Sequence, residues 1–197
     1  MTIDVSDEEL LVGWKPRLGI LSVAEKVQQA ELLKRHGNLL VKQSEFKRAL
    51  TSYAKVFAYV NGLSVAGDAM SQYAQGAAGI TATKEEDIQI QAIKVAVWAN
   101  MALCHVKLGT QPDKALSCCD KVLDVEPQHS KARFRKAQAM VQLMHYERAY
   151  QLLSELLDEE PKNAAVRSEI RVLQAKKRAY DAEAKAKEKT AFGNMFK

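Results

Sequence analysis

KALSCCDKVLDVEP (114–127) and RAYQLLSELLDEEP (148–161) align with each other without a gap. Ala115 falls on Ala149 and Pro127 on Pro161, each pair 34 residues apart. Both stretches space their apolar side chains as an amphipathic helix does, and both close on proline, which cannot continue a helix ladder. A third copy lies upstream at 46–60, FKRALTSYAKVFAYV. There Phe46, Ala49, Leu50, Tyr53, Val56, Phe57 and Val60 stand at offsets of 3, 4, 7, 10, 11 and 14, one stripe on a helix. A further helix is predicted before each copy, over 24–42, about 86–108 and 131–144. Each of these carries a small residue where two helices must approach closely: Gly37, Ala102 and Ala137.

Bulk composition agrees with an all-helical reading. The 197 residues hold only 4 Pro and 9 Gly, and Ala, Leu, Lys, Glu and Gln are abundant. No period-2 alternation is long enough to argue a sheet. No apolar run reaches the roughly 18 residues of a membrane span. The start, MTIDVSDEEL, is acidic and lacks the apolar core of a secretory signal. Cys104, Cys118 and Cys119 are odd in number and fit neither a zinc site nor a redox pair, so buried thiols in a reducing, cytoplasmic setting are expected. The net charge of +5 comes from residues 164–197, with nine Lys or Arg against four Asp or Glu. The remainder is neutral, with 20 of each, so nucleic-acid binding is not implied.

Three helix pairs, a period of 34 and small residues at the crossings resemble the tetratricopeptide repeat. The resemblance implies an all-α fold: three helix hairpins in a right-handed superhelix, followed by a seventh helix. Expected boundaries are a linker at 1–19, the repeats within 20–163 (about 30–61, 95–128 and 130–163), and a capping, then extended basic helix at 164–197. An insertion at about 62–87, with Gly62, Gly67, Gly76 and Gly79, is expected to be part loop, with the flanking helices reaching into it. On the last helix Val166, Ile170 and Leu173 form an apolar stripe before the pattern turns polar, so it should pack at its start and project later. His36, Arg133 and Lys136 stand where the repeat often has apolar residues, and the second copy has one extra residue near Thr110–Pro112.

SKARFRKAQAM (130–140) poses a separate problem. Lys131, Arg133, Arg135 and Lys136 crowd a helix start, and no acid follows until Glu147. Each cation at that positive end of the helix dipole costs roughly 0.3–1 kcal/mol. The first helices of the three pairs offer Lys34 and Asn38, then Asn100, then Lys131 and Arg135, with Lys34/Asn38 and Lys131/Arg135 each four apart on a shared face. In LLKRHGN (32–38), WANMAL (98–103) and SKARFRK (130–136) this set resembles the carboxylate clamp of co-chaperone tetratricopeptide domains. That resemblance implies that Lys34, Asn38, Asn100, Lys131 and Arg135 grip the C-terminal Glu-Glu-Val-Asp of heat-shock protein 90 or 70, with Arg133 only peripheral. Cationic and amide donors suit a ligand end bearing two carboxylates. An anion bound there would offset the cations' cost at the helix start.

The flanks ILSVAEKVQQAELLKRHGNLLVKQSEFKRALTSYAKVF (20–57) and KEKTAFGNMFK (187–197) resemble FK506-binding-protein-type immunophilins, and cyclophilin-type immunophilins share much of this pattern. In such proteins a prolyl-isomerase domain precedes the repeats, and residues 1–20 are too few to hold it. Trp14 and Pro16 are expected in a linker packed on the first helix. Catalysis by this chain is not expected: His36, His105, His129 and His145 fall on four different elements. No cofactor or metal is implied. Two rival readings are a different peptide in the repeats and calmodulin on the basic helix 164–197. Against the latter, KKRAYDAEAKAKEKT (176–190) is nearly stripped of large apolar residues.

Overall fold

The computed structural model describes residues 14–65 and 81–195. Gly67, Gly76 and Gly79 of the insertion lie outside that range. Seven helices occur among the described residues: α1 Val23–Lys42, α2 Phe46–Val60, α3 Lys84–Leu108, α4 Pro112–Val125, α5 Ser130–Gln142, α6 Tyr146–Glu159 and α7 Ala164–Met195. Among the described residues a parallel pair of two-residue strands, β1 Ser64–Val65 and β2 Thr81–Ala82, also lies towards the two ends of the insertion. The chain divides into two compact units, Met1–Leu108 and Gly109–Lys197. The helices of the second repeat therefore fall in different units, α3 closing the first and α4 opening the second.

Local signals fix the helix ends. Ser22 caps α1 in a reciprocal box: its hydroxyl accepts from the Glu25 backbone N–H, and the Glu25 carboxylate accepts from that of Ser22. Thr83 and Glu86 do the same at α3, each side chain accepting from the other's backbone N–H. This draws α3 back to Lys84, inside the insertion, whereas α2 ends at Val60. Pro112 opens α4 at a first-turn position, where its missing N–H costs nothing. The turns after α1, α3 and α5 each use one left-handed residue: Ser44 (φ 61°), Gly109 (φ 65°) and Met144 (φ 61°). The repeat thus recurs in its backbone even where residue identity does not.

In the first unit α1 packs on α2 and α3, and α2 on α3. Tyr53, Val56 and Val97 are fully buried there, and the Phe57 and Trp98 rings stack at 5.7 Å. Gly37 is required at the α1–α2 crossing: a Cβ would come within 2.7 Å of Tyr53 Cδ1. The segment before α1 straps this unit. The Arg17 backbone N–H donates to Gln29 Oε1, the Tyr59 hydroxyl donates to the Arg17 carbonyl, and Trp14 packs on Leu32 and Leu39. Packing of Trp14 on the first helix is as expected.

In the second unit α4 packs on α5, α5 on α6, and α6 on α7. Ala137, Leu153, Val166 and Leu173 lie in its core. The start of α7 is anchored by Val166 and Leu173, with Ile170 packed against that core. Anchoring continues to Tyr180, whose ring lies 5.9 Å from Tyr146, and includes a Lys177–Glu147 ion pair of 2.7 Å. Beyond Tyr180 the described side chains through Phe192 are all exposed. No described helix is long and apolar enough to cross a membrane.

Candidate peptide-binding site

Within the first unit, Asn38 and Asn100 meet side chain to side chain. Asn38 Oδ1 accepts from Asn100 Nδ2 at 2.9 Å and from the Tyr53 hydroxyl at 2.7 Å. Two donors on one oxygen turn the Asn38 carbonyl inward, so its NH2 is the end left for a ligand. Asn100 keeps a second amide N–H beside it. Both asparagines are half-buried, where an amide held in place is a more specific donor than a solvated one.

Lys34 lies one turn before Asn38 on α1. Its ammonium pairs with Glu31 at 2.7 Å, and Glu31 also accepts from Arg35 Nε at 3.2 Å. One carboxylate is thus shared by two cations. These three residues line a groove of ≈ 680 Å³ between α1 and α3, whose wall also includes Val27, Leu32 and Ile93.

In the second unit Lys131 and Arg135 stand on successive turns of α5, Lys131 exposed and Arg135 half-buried. Among the described residues Lys131 has no acidic partner. The other two cations of the helix start belong to the fold. Arg133, expected to be only peripheral to the clamp, is 8% exposed and joins α5 to the end of α6. Its Nη1 donates to both Glu159 oxygens at 2.6 and 2.7 Å, and its Nη2 lies 3.4 Å from Glu155. Lys136 pairs with Asp120 of α4 at 2.6 Å. The helix start is also capped by His129, whose Nδ1 accepts from the Ala132 N–H. Much of the cost of crowding four cations there is therefore offset by the protein's own acids.

Two participants were not among the residues expected from the sequence. Tyr53 counts in the sequence as one more apolar residue of the α2 stripe, yet its hydroxyl orients Asn38. Glu31 sits three residues before Lys34, a separation that does signal an ion pair on a helix.

The histidines form no catalytic group. His36 lies on α1 with Nδ1 3.1 Å from Ser52 Oγ, His105 is buried in α3, His129 caps α5, and His145 precedes α6. Among the described residues no cluster of His, Cys, Asp or Glu could hold a metal. Cys104, Cys118 and Cys119 are buried and belong to no disulfide. Burial, and next the neighbouring Cys118, push the Cys119 thiol up to about 12, which keeps it protonated and unreactive.

Successive helix hairpins of this kind define a helical-repeat module. The family described as Tetratricopeptide repeat matches residues 110–184, and solved structures extend that architecture across most of the chain. The C-terminal TPR-containing domain of a Plasmodium falciparum FK506-binding protein covers 87% of this chain and 99% of its own, at TM-score 0.66 and 19% identity. The Hsp90 co-chaperone Cns1 of Saccharomyces cerevisiae covers 86% of this chain and 46% of its own, at TM-score 0.62 and 22% identity. The second TPR domain of human RPAP3, solved with the HSP70 peptide SGPTIEEVD, covers 76% and 98%, at TM-score 0.53 and 19% identity.

The chain has the fold of tetratricopeptide-repeat domains, and residues 110–184 match that family directly. By sequence it is related to the peptidyl-prolyl cis-trans isomerase FKBP4 of Mus musculus, 27% identical over 176 residues. That alignment takes in 89% of this chain and 34% of the relative, so the chain spans about a third of the protein it matches. What is shared with the solved neighbours is the helical repeat.

Proposed function

We propose that this domain is a co-chaperone module that holds the C-terminal Glu-Glu-Val-Asp of heat-shock protein 90, or of heat-shock protein 70, in a carboxylate clamp. Lys34, Asn38 and Asn100 come from the first unit, and Lys131 and Arg135 from the second. The last ligand residue brings two carboxylates, one from its side chain and one from the chain end. Lysine and arginine supply charge-assisted hydrogen bonds of roughly 1.5–3 kcal/mol each. The asparagines supply neutral donors at fixed points. After the cost of ordering a flexible tail, a micromolar Kd is expected, about −8 kcal/mol.

The observation that carries this reading is the Asn38 amide, whose carbonyl is held by Tyr53 and Asn100 so that donors face outward. The peptide bound to the RPAP3 domain, which ends in EEVD, and the Hsp90 co-chaperone title of Cns1 support it by analogy. Relatedness to FKBP4 supports the further reading that the domain serves as the non-catalytic part of a cytoplasmic immunophilin. Calorimetric titration with an acetylated Glu-Glu-Val-Asp peptide tests the clamp. Lys131→Glu and Asn100→Ala should each weaken binding at least tenfold, and added salt should weaken it further. Unchanged affinity in either variant removes the assignment.

A further inference from the structure

A second pocket, of ≈ 260 Å³, lies where the strap before α1 crosses the α1–α2 hairpin. Trp14 and Lys15 come from the strap, His36 from α1, and Arg48, Ser52 and Lys55 from one stripe of α2. His36 is two residues from both Lys34 and Asn38, about 200° round the helix, so this pocket faces away from the candidate clamp.

The lining contains no carboxylate. Arg48 has an ion-pair partner in Glu45, which does not line the pocket, and among the described residues Lys15 and Lys55 have no acidic partner. The other cations of this unit's strap and candidate clamp are balanced, Arg17 by Glu25, and Lys34 and Arg35 by Glu31. His36 is oriented by a chain of hydrogen bonds. The single hydroxyl proton of Ser52 goes to the Leu33 carbonyl at 2.9 Å. The 3.1 Å contact between Ser52 Oγ and His36 Nδ1 therefore has the imidazole N–H donating. Nε2 is the ring nitrogen left over, a lone pair when His36 is neutral and a donor when it is charged. Burial first, then the charges of Arg48 and Lys55, hold the His36 pKa below its usual value.

We infer that this pocket binds a phosphate monoester, with Lys15, Arg48 and Lys55 neutralising its charge and His36 Nε2 donating to one oxygen. A dianion with three acceptor oxygens matches three cations and a switchable imidazole better than a single carboxylate does. A bound dianion favours the charged imidazole, so binding and protonation of His36 reinforce each other.

The test is an NMR titration of the His36 ring with a phosphoserine peptide, its unphosphorylated form, and inorganic phosphate at constant ionic strength. The phosphorylated ligand should give a saturating shift and raise the His36 pKa, while the unphosphorylated peptide should do neither. The double variant Lys15→Glu/Lys55→Glu, with both changes on exposed side chains, should keep its helical circular dichroism and lose roughly tenfold or more in affinity. Equal affinity for inorganic phosphate and phosphoserine would mean that the phosphate group alone is read, and tighter phosphoserine binding would extend recognition to the peptide. No response to either at millimolar ligand, or an equal response from the double variant, overturns the inference.

Discussion

Replacing Tyr53 by Phe removes one oxygen and leaves in place the ring that fills the space beside Gly37. Tyr53 is fully buried, and its hydroxyl donates to Asn38 Oδ1 at 2.7 Å. Loss of a hydrogen bond of this kind costs about 1 kcal/mol net, which should appear as a lower urea midpoint at unchanged m. The effect on recognition is separate. Asn38 Oδ1 keeps only the Asn100 donor, so the amide spends part of its time turned over, offering a carbonyl to an anionic ligand. A penalty of about 1 kcal/mol corresponds to roughly fivefold weaker binding of the acetylated Glu-Glu-Val-Asp peptide. A double-mutant cycle isolates the orienting effect. In an Asn38→Ala background the hydroxyl has already lost this acceptor, so Tyr53→Phe should cost little further stability and leave the remaining affinity unchanged. If the affinity loss is the same in both backgrounds, the hydroxyl does not act through Asn38 and the orienting argument fails.

Glu31→Gln frees Lys34 and Arg35 from a shared carboxylate and removes a negative charge from the groove between α1 and α3. Peptide affinity should rise two- to fivefold at low salt, in line with the roughly 0.2–1 kcal/mol of partly exposed pairs, and calorimetry at two salt concentrations should show the gain shrinking. Because native His36 holds its proton less tightly than the unfolded chain does, the unfolded state protonates first. Its contribution to stability should be complete above about pH 6.5 and drain away as pH falls through the lower native value. Denaturant midpoints from pH 8 to 5.5 should show this slope, and His36→Gln should flatten it. Arg133→Ala should cost about 1–3 kcal/mol of unfolding free energy, less than a fully buried pair because Glu159 is half exposed and can rehydrate. Chemical denaturation measures this, and an unchanged midpoint would show that the Arg133–Glu159 link contributes nothing to stability.

Most of the fold could be read from local order. The stripe from Phe46 to Val60 coincides with α2, and Gly37, Ala102 and Ala137 are buried as close packing of helices requires. The start of α3 was less legible, because the Thr83–Glu86 box that sets it lies in a stretch dominated by glycines and polar residues. The site was legible only in part. Spacing puts Lys34 with Asn38 and Lys131 with Arg135, but the Asn38–Asn100 contact joins residues 62 apart. Arg133 and Lys136 find their acids 26 and 16 residues away, on other helices. Periodicity along a helix carries no information about such partners. Four cations in a row therefore look alike in the sequence, although two brace the hairpins and Lys131 stays exposed.

Gly37 ties the architecture of the first hairpin to its chemistry. On helix propensity alone alanine would be preferred there by about 1 kcal/mol, yet a methyl group would press on the phenol that steers the neighbouring amide. Selection for a tighter helix and selection for a well-aimed donor therefore pull in opposite directions at one position. A lineage that gave up the glycine could remain folded and still lose its aim, so here an inherited loss of recognition could begin at a residue that never touches a ligand.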